Sequence, residues 1–182
     1  MPNSDAQHPQ KAIRRYLSVE PWTIVQPSRG ICVDGVQLPT HVHPELVRAG
    51  YIPDPHFADN ELAVTWVDEV PWTFSLEFDW SPSEDLPHTR LEFGGLDTIA
   101  TIRLNGHLLG ESHNMWIPFV AEVRQFLVDG ANRLDVDFQP AKAYGEQRRV
   151  EWMAANGFPL TTNGFEERCF VRKAQYSFGW DW

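Results

Sequence analysis

Trp72-Thr73-Phe74-Ser75-Leu76-Glu77-Phe78-Asp79 is the stretch that decides the fold class. Apolar residues at 72, 74, 76 and 78 alternate with polar residues at 73, 75, 77 and 79. Successive side chains of an extended strand point to opposite faces, so this alternation describes a half-buried β-strand. The pattern recurs downstream. Leu91 and Phe93 continue it, and Ala100, Ile102 and Leu104 alternate with Thr101 and Arg103 before Asn105-Gly106. Asn-Gly tolerates positive φ at both positions and so predicts a tight hairpin. Trp116 to Val120 reads as a further short strand, Gly130-Ala131-Asn132 as a turn, and Leu134, Val136 and Phe138 alternate with Asp135 and Asp137. Short strands broken by turns every 8–12 residues or so point to an antiparallel sandwich or jelly roll.

The flanking segments read differently. Residues 1–11 are polar and expected to be disordered. Ala12 to Val25 has room for one or two strands. Leu38 to Asn60 is rich in Pro, His and turn residues, a surface segment with one short helix near Pro44–Ala49 stopped by Gly50. Ala141–Asn156 carries the Arg, Glu, Gln, Met and Ala content of a helix, with Gly157 as its stop. Phe158 to Glu167 reads as a loop, and Cys169 to Tyr176 as a return to strand.

Composition narrows the function classes. A chain of 182 residues fits one domain with a substantial core. A net charge of −10 argues against nucleic acid and against anionic membrane. The N-terminus shows no apolar signal-peptide core, and no stretch approaches the roughly 18 apolar residues of a spanning helix. The expected location is cytoplasmic, where Cys32 and Cys169 are expected to be two buried thiols rather than a disulfide. Aromatic residues make up 13% of the chain, which suits a β-rich core or a carbohydrate surface.

The last residues, Arg172-Lys173-Ala174-Gln175-Tyr176-Ser177-Phe178-Gly179-Trp180-Asp181-Trp182, carry the chemistry. A carboxylate between two indoles is suited to a sugar. The indole faces stack on the C–H face of a pyranose, and the carboxylate accepts hydrogen bonds from its hydroxyls. The competing reading pairs Asp181 with Arg172 or Lys173 to hold the loop. Ends are usually polar and loosely held, so one this apolar is expected to lead into further polypeptide.

Several segments together resemble the non-catalytic N-terminal domain of β-mannosidases of glycoside hydrolase family 2. They are Leu38-Pro39-Thr40-His41-Val42-His43-Pro44-Glu45-Leu46, Gly50-Tyr51-Ile52-Pro53-Asp54-Pro55, Asn60-Glu61, Trp66-Val67, Pro71-Trp72-Thr73-Phe74, Phe93-Gly94-Gly95-Leu96-Asp97-Thr98-Ile99-Ala100, Leu104-Asn105-Gly106, Leu109-Gly110, Asn114-Met115, Gly130-Ala131-Asn132-Arg133-Leu134 and the terminal segment. The fold expected is therefore all-β, an antiparallel jelly-roll β-sandwich of the galactose-binding-domain-like kind, over residues 12–182, with one short helix or two in the connections. The resemblance implies that an immunoglobulin-like domain and a TIM barrel with the catalytic glutamates follow. It also implies that Trp180, Asp181 and Trp182 contribute to the non-reducing-end mannose subsite, with Arg172 and Lys173 as supports or interdomain ion pairs.

Retaining glycosidases need two carboxylates about 5–5.5 Å apart, which the resemblance places on the barrel. A barrel takes about 250 residues, so this chain alone is expected to be inactive. Asn60-Glu61 mimics the acid/base dipeptide of related enzymes but reads as surface loop, and Glu84-Asp85 and Glu166-Glu167 read as solvated charges. His41, His43, His56 and Cys32 are too loosely spaced for a zinc site, and no cofactor or metal is expected. The expected partners are β-mannosides or manno-oligosaccharides and the downstream barrel. The rival functions are a self-standing carbohydrate-binding module and a purely structural packing domain.

Overall fold

The computed structural model describes residues 12–157 and 166–178. The disorder expected of residues 1–11, the loop expected over most of 158–167 and the Trp180–Trp182 triplet lie outside the described residues. The elements are β1 (Trp22–Gln26), β2 (Ile31–Val36), α1 (Val42–Arg48), α2 (Asn60–Val64), β3 (Trp72–Trp80), β4 (Arg90–Phe93), β5 (Ala100–Leu104), β6 (His107–Ser112), β7 (Phe119–Glu122), β8 (Gly130–Phe138) and α3 (Ala141–Asn156). Every strand pair is antiparallel. One sheet has the order β2-β1-β3-β8-β5-β6, and β4 and β7 form a second layer.

The decisive alternation forms β3, at the centre of the large sheet between β1 and β8. Its inward residues Trp72, Phe74 and Leu76 are buried with Ile24, Ile102, Leu104, Leu134 and Val136, and Phe74 meets Phe138 edge to face at 5.5 Å. The Trp72 indole N–H donates to Val67 O at 2.8 Å, so a buried polar atom is satisfied. On the outer face, Thr73 donates to Asp137 at 2.7 Å and Ser75 to Asp135. Arg133 adds bonds to Asp135 and Ser75, and Arg103 pairs with Asp137. The polar residues of the alternation are thus a cross-strand ladder.

Asn105 and Gly106 adopt φ of 51° and 81°, as a hairpin between β5 and β6 demands. Asn105 also reaches sideways. Its Nδ2 donates to Phe126 O and to Asn132 Oδ1, both at 2.8 Å, and its Oδ1 accepts from Arg133 N at 2.8 Å. Asn132 is 2% exposed. Its Oδ1 also accepts from Val128 N at 2.9 Å, and its Nδ2 donates to Val128 O at 2.9 Å and Gly130 O at 2.8 Å. Gly130-Ala131-Asn132, expected as a turn, therefore lies inside β8, and the turn chemistry of Asn132 acts through its side chain on the preceding loop.

The helices over Val42–Arg48 and Ala141–Asn156 form where composition placed them, with Gly50 and Gly157 at φ of 76° and 72°. Among the described residues there are three α-helices, and α3 runs for 16 residues, longer than the short connections expected. Between Ala12 and Val25 only β1 begins, after a 3₁₀ turn at Leu17–Val19. A strand not anticipated, β2, pairs with β1 and buries Ile31, Val33 and Val36. Its alternation puts Cys32 on the outer side. Both Cys32 and Cys169 are exposed and free, not buried as expected.

Other expectations shift. The strand at Trp116–Val120 starts at Phe119, because Asn114 Oδ1 accepts from Trp116 N at 3.0 Å in a side-chain turn and Pro118 cannot donate to a ladder. Asn60-Glu61 opens α2 rather than a loop, with Glu61 exposed. Glu84 and Asp85 are exposed, whereas Glu167 is buried, against expectation. No helix among the described residues is long and apolar enough to cross a membrane.

Replacing Asn132 by Ala removes the side-chain partner of Val128 N–H, Val128 O and Gly130 O, and one of the two acceptors of Asn105 Nδ2. Each such group costs about 1–3 kcal/mol when buried. Asn132→Ala is expected to lower the urea midpoint by an equivalent of at least about 2 kcal/mol at unchanged slope. A midpoint within error of the wild type would refute a stabilising role for the Asn132 side-chain bonds.

Candidate functional site

The candidate site is the support of the terminal segment. Of the residues singled out in sequence, Arg172 and Lys173 lie within the described part, and Trp180, Asp181 and Trp182 lie outside it. The strand expected at Cys169–Tyr176 is instead two 3₁₀ turns, Glu166–Phe170 and Gln175–Phe178, around one isolated parallel bridge from Arg172 to Asn114. The reason is local competition for backbone carbonyls. Val171 N donates to Arg168 O at 3.2 Å and Ser177 N to Ala174 O at 3.0 Å. The Gln175 amide reaches back to the carbonyls of Arg168 and Lys173, at 3.4 Å and 3.2 Å. Carbonyls engaged this way cannot extend a ladder.

Three segments far apart in sequence converge here. Met115, just beyond β6, donates its N–H to Arg172 O at 3.0 Å, and its thioether sulfur lies 3.0 Å from Ala174 N. Gly95, just beyond β4, faces the same turn, where a Cβ would stand 2.6 Å from Met115 O. Lys173 Nζ pairs with Asp97 Oδ1 at 3.3 Å. The Asp97 carboxylate also accepts from Thr98 Oγ1, Thr98 is buried, and the peptide joining the two is cis. Beneath this, Val171 and Ala174 are buried. The far side is closed by α3. Gly145 packs against the Glu167 backbone, where a Cβ would collide with its carbonyl, and Tyr144 lies against the His113 ring at 5.6 Å.

Arg172 is exposed, with its backbone, not its charge, tied to the sandwich. The Lys173 and Asp97 side chains are 17% and 41% exposed, so solvent screens their attraction to at most about 1 kcal/mol. The close backbone packing does more than the ion pair. Gly95, Asp97 and Met115 belong to the resembling motifs but carried no role in the sequence reading, since no spacing rule connects residues 97, 115 and 173. Among the described residues, no group of three or more His, Cys, Asp or Glu is placed to hold a metal. His41 and His43 stand with ring centroids 6.0 Å apart.

A side chain at position 95 must push the Asn114-Met115 turn away from Arg172. Gly95→Ala is expected to speed amide exchange of residues 172–177 by about tenfold or more, read by hydrogen exchange. Lys173→Met is expected to do so by less, because the pair is screened. Unchanged exchange in Gly95→Ala, or a larger effect from Lys173→Met, would contradict this order.

The family model described as glycosyl hydrolase 2 galactose-binding domain-like matches residues 22–182. β-Mannosidase B of Thermothelomyces thermophilus is 41% identical over 146 residues, covering 80% of this chain and 17% of its own. A probable β-mannosidase of Caenorhabditis elegans is 32% identical over 152 residues, with the same coverage. The crystal structure of the β-D-mannosidase of Dictyoglomus thermophilum superposes with a TM-score of 0.76 at 34% identity, over 89% of this chain and 20% of that one. An exo-chitosanase of Amycolatopsis orientalis, at 16% identity and a TM-score of 0.59, shares the fold. The chain spans about a fifth or less of the length of these mannosidase relatives. With a family match over most of its length, this chain belongs to the galactose-binding-like domain family of glycosyl hydrolase 2.

Proposed function

We propose that this chain is the non-catalytic N-terminal domain of a β-mannosidase, a retaining exo-glycosidase that removes terminal β-D-mannose. In this reading Trp180, Asp181 and Trp182 form one side of the non-reducing-end mannose subsite. The catalytic carboxylates come from a barrel farther along the polypeptide, on which the sandwich packs. The observation that carries the proposal is the clamp on residues 171–177. Backbone bonds from Met115, the Gly95 contact and the Lys173–Asp97 pair fix the segment that leads into Trp-Asp-Trp. Such rigidity is what a subsite needs, because a loosely held carboxylate spends binding energy on its own ordering. The mannosidase relatives support the choice of sugar.

The mechanism assigned to this domain is recognition. Asp181 accepts hydrogen bonds from two sugar hydroxyls, the flanking indoles wall the ring, and the clamp keeps the carboxylate in place as charge develops at the distant anomeric carbon. Charged hydrogen bonds of this kind are worth about 1.5–3 kcal/mol each.

In the full-length enzyme, Asp181→Ala is expected to lower kcat/KM on an aryl β-mannoside by roughly two orders of magnitude, with stability unchanged. Kinetics like the wild type would sink the assignment. Calorimetry on the 182-residue chain tests the rival module: sub-millimolar binding of mannobiose would favour a self-standing sugar binder.

A further inference from the structure

Asn-Gly occurs at residues 105–106, 156–157 and 163–164, and the last pair lies outside the described residues. This dipeptide carries its own chemistry. Glycine has no side chain to shield its nitrogen, so that nitrogen can attack the preceding Asn side chain and expel ammonia. The two described pairs are held very differently.

Asn156 ends α3 and is exposed. Among the described residues its side chain makes one hydrogen bond, from Nδ2 to Trp152 O at 2.7 Å. Asn105 is half-buried at the β5–β6 turn, next to the exposed Gly106. Its Nδ2 donates to Phe126 O and Asn132 Oδ1, and its Oδ1 accepts from Arg133 N. Its backbone N–H is also held, by Arg133 O at 2.8 Å. Asn105 Cγ cannot turn toward Gly106 N without breaking these side-chain bonds. Asn132 is fixed in turn, because its Oδ1 accepts from Val128 N while its Nδ2 serves Val128 O and Gly130 O. The lock is therefore a chain of bonds running from the hairpin into the 126–130 loop.

We propose that Asn105 is a deamidation site that the Asn132 network holds shut, and that the reaction, once it occurs, permanently releases the β5–β6 hairpin from the 126–130 loop. Gly106 N loses its proton and bonds to Asn105 Cγ, and the Cγ–Nδ2 bond breaks. The amide nitrogen leaves as ammonia, taking up that proton, and a five-membered imide remains. Water then opens the ring at either carbonyl, leaving an aspartyl or isoaspartyl linkage. Water enters, ammonia leaves, and nothing is oxidised or reduced. Solvent reaches the turn at the exposed Gly106.

The product does not fit the lock. Where an NH₂ group faced two acceptors, a carboxylate now faces them, with a negative charge and no proton to offer. Asn132 cannot turn its amide round to help, since its Oδ1 would then face the carbonyls of Val128 and Gly130 and its Nδ2 would face Val128 N–H. The stack of His107 on Phe126, at 5.3 Å, is left as a contact between hairpin and loop. This inference does not depend on the mannoside reading, since it concerns the hairpin alone.

The test is peptide mapping by mass spectrometry of the 182-residue chain aged at mildly alkaline pH, with Asn156 as internal reference. In the folded wild type, Asn105 is expected to convert more slowly than Asn156 by about tenfold or more, and at a similar rate once urea unfolds the chain. Asn132→Ala is expected to speed conversion at Asn105 by about tenfold and to leave Asn156 unchanged. Ile24→Ala, which weakens the core in β1 without touching the network, is expected to leave Asn105 slow. Equal rates at Asn105 and Asn156 in the folded wild type would overturn the proposal. So would slow conversion at Asn105 in Asn132→Ala, or an equal acceleration in Ile24→Ala, which assigns the protection to the fold at large. Asn105→Asp supplies the aspartyl product directly and is expected to speed amide exchange of Val128 by about tenfold. Exchange at the wild-type rate in that variant would overturn the release of the loop.

Discussion

Everything else in this domain leans on the pairing of β3 with β8. Residues from Trp72 opposite Phe138 to Trp80 opposite Gly130 are joined in an unbroken antiparallel register. The pairing closes a long loop, and its entropic cost is recovered only when both faces of the ladder are occupied. On the inner face Phe74, Leu76, Leu134 and Val136 enter the core. On the outer face Thr73 and Ser75 bond Asp137 and Asp135 directly opposite. A slip of one residue would exchange the two faces and bury the carboxylates, so the register is strongly specified.

From that ladder the rest is positioned. β8 also pairs with β5, and Asn105 at the tip of β5 bonds Asn132 at the start of β8. This side-chain link ties the hairpin to the 126–130 loop without a further strand. Beyond β4 and β6, the loops carrying Gly95, Asp97 and Met115 emerge together, and residues 172–174 are seated on them. The clamp is thus an outgrowth of sheet geometry, with α3 bracing it through Gly145.

The sequence by itself determined the local alternatives. The period-two runs specified β3, β5 and β8, Asn105-Gly106 specified the hairpin, and Gly50 and Gly157 specified helix ends, because these choices depend on backbone sterics and on which face is apolar. The motifs also identified the family. Tertiary structure decided what depends on neighbours. Gly130-Ala131-Asn132 has turn chemistry, yet it lies in a strand because β3 offers it a ladder. Cys169–Tyr176 has strand-like residues, yet it turns because nearby backbone N–H groups and the Gln175 amide take up its carbonyls. Cys32 is exposed because its neighbours Ile31 and Val33 take the inward side of β2. The meeting of residues 97, 115 and 173 was invisible in one dimension, since chain separation carries no information about contacts made between loops that the sheets bring together.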